Sequence, residues 1–274
     1  MEQLKILETD MYLVGYSKST CKAYLEMNKK FLAFIKKSAR EVRQKDIESY
    51  LLHRIKEGIS PRTLHLIVAA LKYYYCILLK RRFQLKYPKT PKSIPYVLSQ
   101  KEISQIIDSI DNPKHRLLIE LLYGSGLRVG EAVKIKIEDM DLDQKILLIK
   151  GGKGNKDRMV IIGDLFIFEV KRYLRSRFDE NPYVFHTRNG HITIRTAQLI
   201  LKNAAKKMGL SKRVFCHALR ASFATHLIEQ ETSIHHVQKL LGHNHIRTTL
   251  GYIKSRRDDI QKIKSPLDSL QYRN

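Results

Sequence analysis

Residues 87–95 read YPKTPKSIP, and three of the chain's seven prolines, Pro88, Pro91 and Pro95, fall within them. Each lacks an amide donor and biases the residue before it away from helix, so the stretch reads as an extended joint. It divides the 274 residues into a first domain at 1–86, a linker at 87–97 and a second domain at 98–274. That length suits about two domains of ordinary size.

Working outward toward the N-terminus, the pattern is helical throughout. Gly15 is placed to end one helix, and Ser17 to cap the next through about Lys37. A third pattern runs from Lys45 to Lys56 and stops at Gly58. Ser60-Pro61 is an N-cap followed by proline at the first helical position, which opens a helix to about Lys80. Leu64, Ile67, Val68, Leu71 and Tyr75 fall on one face of it at helical spacing. Tyr73, Tyr74 and Tyr75 read more simply as packing residues than as platforms for stacking bases. No catalytic constellation is present in this half.

Toward the C-terminus, Ser99 and Glu102 have the spacing of a capping box, and helices follow to about Leu122. Apolar runs at Lys145–Lys150 and Met159–Ile162 flank a glycine-rich stretch, Gly151 to Arg158, and predict a β-hairpin. After Gly163 the pattern is helical again, apart from a short strand expected at Tyr183-Val184-Phe185. The expected fold class is therefore mainly α with a small β-sheet: an N-terminal helical bundle followed by an α+β domain.

Charge narrows the partner. Lysine plus arginine number 51 against 27 aspartates and glutamates, a net charge of +24. Residues 1–97 hold 20 of the bases and 8 of the acids, so each half carries +12. Such an excess argues against an ordinary neutral metabolic enzyme and for a polyanion, nucleic acid ahead of a membrane surface. Two basic domains on a linker suit a clamp around a duplex. Cys21, Cys76 and Cys216 are far apart and odd in number, giving neither a disulfide framework nor a paired zinc spacing, which fits a reducing cytosol. The start, MEQLKILETD, has acids and no apolar run, unlike a signal peptide. No segment reaches the ~18 uninterrupted apolar residues of a membrane helix, so no membrane partner is expected.

Several tempting motifs fail on spacing. Gly124, Gly126 and Gly130 in GSGLRVG miss the dinucleotide fingerprint by one residue and follow a helix; Gly151–Lys156, GGKGNK, lacks the spacing and hydroxyl of a phosphate-binding loop. Six of the eleven histidines lie between residues 217 and 245, but no carboxylate stands at ligand spacing and no cysteine pair accompanies them. His235 and His236 read as solvated helix residues. Neither a cofactor nor a metal is expected.

Other positions combine better. GLRVGE, 126–131, places Arg128 at a helix start after a flexible turn; Lys153 lies in the hairpin loop; HALR puts His217 and Arg220 three apart on one helix face. LLGH ends a helix at Gly242 and presents His243; TTLGY supplies Tyr252 nine residues later. Singly each has a plain reading: Arg220 as a salt-bridge residue, His217 as a helix cap, Tyr252 as one of fourteen tyrosines with Tyr272 as its rival.

In that order and spacing, GLRVGE, GKGNKDR, HALRASFATH, LLGH and TTLGY resemble the tyrosine recombinases of the phage-integrase and Xer-type branch. The resemblance is carried by motifs over 98–257 and by architecture over 1–97. It implies a SAM-like core-binding domain that clamps DNA and a catalytic domain with Arg128, Lys153, His217, Arg220, His243 and Tyr252 as catalytic residues. Ala221 and Lys254 stand where many relatives have histidine, which bears on subgroup and not on chemistry. The activity implied is site-specific recombination through a 3′-phosphotyrosyl intermediate, independent of metal and ATP, by a homo-tetramer on two DNA duplexes in the cytoplasm. The segment Asp258–Leu270 would be the protomer-exchange helix. The short two-domain chain fits Xer-like dimer resolution; a mobile-element integrase or excisionase, an idle DNA-binding protein and a relaxing type IB-like enzyme remain open.

Overall fold

The computed structural model describes residues 2–89, 96–151, 157–210, 214–242 and 249. Its contacts divide the chain into two units, 1–93 and 94–274.

The first unit is a helical bundle: α1 (Glu2–Leu13), α2 (Lys18–Ile35), α3 (Gln44–Lys56) and α4 (Pro61–Leu71). The Ser17 and Ser60 hydroxyls accept the amides of Thr20 and Thr63, so both expected caps are formed. Leu7, Met11, Cys21, Phe31, Ile47, Ile67 and Leu71 fill the core. The helix expected to run from Pro61 to about Lys80 changes character partway. It is α-helical to Leu71 and π-helical over Lys72–Leu78. The wider π turn advances each residue by a smaller angle than the α turn, so consecutive side chains diverge somewhat less. All three tyrosines are buried there: the Tyr73 hydroxyl donates to Asp10 Oδ2 at 2.8 Å, and the Tyr75 ring meets Phe31 edge-on. Burial pushes the Tyr73 phenol up to about 12, and hydrogen bonding to the Asp10 carboxylate adds to it. The packing reading of these rings holds.

The second unit begins with α5 (Gln100–Asp108), capped by Ser99 and Glu102 as expected, and α6 (Pro113–Gly124). A single turn, α7 (Val129–Ala132), precedes an antiparallel sheet of β1 (Met140–Asp141), β2 (Ile146–Ile149) and β3 (Arg158–Ile161). The expected hairpin is present: Leu147 faces Val160 and Ile149 faces Arg158. The Asp157 carboxylate accepts the Gly151 amide at its neck. β1, which sequence reading did not anticipate, is two residues long and too short to show a period. Helices α8 (Asp164–Arg175), α9 (Ile194–Lys207), α10 (Cys216–Glu229) and α11 (Ile234–Leu241) complete the unit, with a small ribbon of β4 (His186–Thr187) and β5 (Gly190–His191).

The strand expected at 183–185 lies one element further on. Tyr183 makes only an isolated bridge to Lys136, and Val184 and Phe185 are wholly buried. Those apolar side chains are in the core because the chain is tied to the loop after α7, the Val184 amide donating to the Ile135 carbonyl. The ribbon forms in the polar residues that follow.

Leu118, Leu122, Leu127, Val133, Leu147, Phe185, Leu201 and Leu219 are central in the main core. A smaller cluster of Ala221, Phe223, Ala224, Val237 and Leu241 seats α11 on α10. This second cluster fixes where α11 ends.

Candidate active site

Arg128 is the residue immediately before α7, with extended backbone at φ −72° and ψ 142°. The turn before it needs Gly126, whose φ is +59°. A Cβ at Gly126 would stand 2.2 Å from the Phe223 ring, so the close approach of this turn to α10 excludes any side chain. That approach brings the Gly126 carbonyl within 2.6 Å of Arg220 Nη1. The sequence supplies the two parts 94 residues apart and the fold joins them.

Arg220 is among the most buried side chains of the protein, 1% exposed. Its other terminal nitrogen, Nη2, donates to the Leu241 carbonyl at 2.6 Å. Arg128 Nη2 lies 3.5 Å from the next carbonyl, that of Gly242. Both predicted arginines therefore converge on adjacent carbonyls at the end of α11. Helix α11 closes on Gly242 in the left-handed region, φ +62°, as the glycine in LLGH implied. Its last carbonyls carry the negative end of the helix dipole, which favours cations there.

A third arginine reaches the same end. Arg158 Nε donates to the Leu240 carbonyl at 3.2 Å. Its fork embraces Glu131, with Nη1 to Oε1 at 3.0 Å and Nη2 to Oε2 at 2.6 Å. Glu131 also accepts the Arg128 amide at 2.9 Å and Arg128 Nη1 at 2.8 Å. Burial alone would raise the Glu131 carboxyl. The Arg158 fork, the Arg128 amide and the Arg128 guanidinium outweigh that and hold it down to about 2. The carboxylate thus stays ionised between two cations and fixes the direction of the Arg128 side chain. Sequence reading quoted Glu131 and Arg158 within motifs but gave neither a role. The capping-box spacing of Glu131 behind Arg128 was the available signal; Arg158 had none, since its partners come from other elements.

His217 is exposed in the first turn of α10, one turn before Arg220. His235 and His236 are exposed on α11, as expected. His226 is buried instead, with Nδ1 2.9 Å from the Tyr123 hydroxyl. Lys153, His243 and Tyr252 lie outside the described residues, as do Tyr272 and the 258–270 segment. Among the described residues, no three His, Cys, Asp or Glu side chains gather as a metal site, and no helix is long and apolar enough to cross a membrane.

What this arrangement offers chemically is a pair of permanently charged guanidinia held beside a helix end, Arg128 partly exposed and Arg220 buried. The comparisons agree with it. Residues 96–258 match the family model described as the phage integrase family, and residues 4–85 match the phage integrase N-terminal SAM-like domain. The tyrosine recombinase XerA of Pyrococcus horikoshii is 37% identical over 95% of this chain and 93% of its own length. XerA of Thermococcus kodakarensis is 35% identical over 96% and 94%. Among solved structures, a XerA recombinase aligns over 99% of both chains at 29% identity with a TM-score of 0.58. A XerH recombinase bound to its palindromic difH substrate aligns over 91% of this chain and 80% of its own, at 22% identity and a TM-score of 0.76, a likeness of fold. The chain belongs to the phage integrase family of tyrosine recombinases. Its activity is of the Xer-like kind, site-specific recombination by breaking and rejoining DNA strands.

Proposed function

We propose that Tyr252 is the nucleophile and that Arg128, Lys153, His217, Arg220 and His243 surround the scissile phosphate. The observation that carries this reading is the convergence of Arg128 and Arg220 on consecutive carbonyls of α11. Sequence places His243 next along the chain and Tyr252 nine residues beyond it.

A phosphodiester repels nucleophiles through its charge. Two guanidinia on its non-bridging oxygens offset that charge as the transition state forms, an effect worth roughly 3–4 kcal/mol per donor in other enzymes. Arg128 has 30% of its side chain exposed, whereas Arg220 must gain access to the phosphate when DNA engages. Tyr252 Oη attacks phosphorus and gives up its proton with help from His217; His243 donates to a phosphate oxygen. The bond to O5′ breaks, and Lys153 protonates that oxygen. The 3′-phosphotyrosyl bond conserves the energy of the linkage it replaces, so the reverse attack reseals DNA without ATP.

Domain 1–86, joined through 87–97 to 98–274, clamps the duplex in this reading. Four protomers hold two duplexes by exchanging the 258–270 segment. The setting is the cytoplasm, and the role is Xer-like resolution of chromosome or plasmid dimers. Tyr252→Phe should abolish covalent complex on a nicked suicide substrate while leaving the affinity for that substrate within about twofold. Any covalent adduct formed by this variant would remove Tyr252 from the role.

A further inference from the structure

Arg158 links three elements beside the two-arginine site. It is rooted in β3, its fork holds Glu131 of α7, and its Nε caps the Leu240 carbonyl of α11. Its stem is so close to the end of α11 that a Cβ at Gly242 would lie 2.8 Å from Arg158 Cδ. Both members of the pair are nearly closed off from water, at 11% side-chain exposure each. The fork is spent on a carboxylate, so Arg158 is not placed as a third phosphate ligand. Glu131 in turn directs Arg128 through two bonds. Arg128 and Arg220 share the helix end that Arg158 pins.

We propose that Arg158 is a positioning residue for the anion site, acting on the phosphate through Glu131 and the end of α11. The inference rests on the reading that Arg128 and Arg220 hold the non-bridging oxygens. If Arg158 only supported the fold, its loss would slow every substrate alike. If it aims the arginines, its loss should matter only where there is phosphate charge to offset. A methylphosphonate at the scissile position replaces one charged oxygen by methyl and separates the two cases.

Arg158→Gln should slow cleavage of an ordinary phosphodiester by about tenfold to a hundredfold, the cost of a small misplacement of catalytic groups, with DNA affinity within about twofold. On the methylphosphonate the loss should shrink to about threefold or less. Equal slowing on both substrates would overturn the proposal. Arg128→Ala is the control for the underlying reading: if methylphosphonate relieves it but not Arg158→Gln, the Arg158 assignment alone fails. If Arg128→Ala is not relieved either, the two-arginine reading fails first. Arg158→Lys keeps the charge without the fork and gives the same comparison should the glutamine variant not fold; it too is expected to be slow on the phosphodiester and relieved by the methyl group.

Discussion

Glu131 is an anion enclosed by the guanidinia of Arg128 and Arg158, and in the proposed reading this enclosure keeps it from competing with DNA phosphate for Arg128. Its depressed carboxyl also makes it a pH-dependent support of the fold. A carboxylate whose folded value is below its unfolded one contributes stability that is complete above the unfolded value and lost as pH falls through the folded one. Here the span runs from the ordinary 4.5 down to about 2. That difference corresponds to about 3 kcal/mol. Glu131→Gln should therefore be less stable than the native chain at neutral pH, by denaturant midpoint. The gap should close progressively below about pH 4.5 and vanish near 2. A gap that stayed constant with pH would mean that the carboxylate charge contributes nothing. Removing one partner of such an enclosed pair leaves the other cations uncompensated, which is why the glutamine variant is costly despite its similar shape.

At the scale of elements, the turn between α6 and α7 is under the tightest constraint. Gly126 combines a left-handed backbone with contact to Phe223, whereas Gly124, two residues earlier, has nothing within 4 Å of a Cβ position. Gly126→Ala should lose about 2–4 kcal/mol from strain and overlap together. Gly124→Ala should be close to neutral in the same urea titration, and similar losses in both would show that the Phe223 contact is not the cause. This turn was legible in the sequence as flexible but not as crowded, because Phe223 lies on another helix. The caps at Ser17, Ser60 and Ser99 were legible because a hydroxyl and an amide three residues on are local chemistry. The hairpin was legible from its two apolar runs. The π segment was not, since nothing in the local pattern of Lys72–Leu78 distinguishes it from a continuing α-helix. The misplaced 183–185 strand fails for a related reason: a short apolar run looks the same whether it enters a sheet or the core.

At the scale of the molecule, the charge of +24 is shared between both halves, so neither half alone accounts for the attraction to a polyanion. Affinity for duplex should fall steeply with salt. For roughly 6–10 phosphate contacts the loss is about 10³–10⁵ between 50 and 200 mM salt. A titration by fluorescence anisotropy showing a shallow slope would mean that most of this charge never meets the backbone. Arg128 and Arg220 differ from this diffuse charge in how their contacts are made. Arg220 meets the Gly126 carbonyl across 94 residues of chain, and Arg128 meets that of Gly242 across 114. A chain that is cut or unfolded between these positions keeps its basic residues but loses the contacts that bring the two guanidinia to one helix end, so diffuse attraction to DNA and an assembled anion site are separable properties of the molecule.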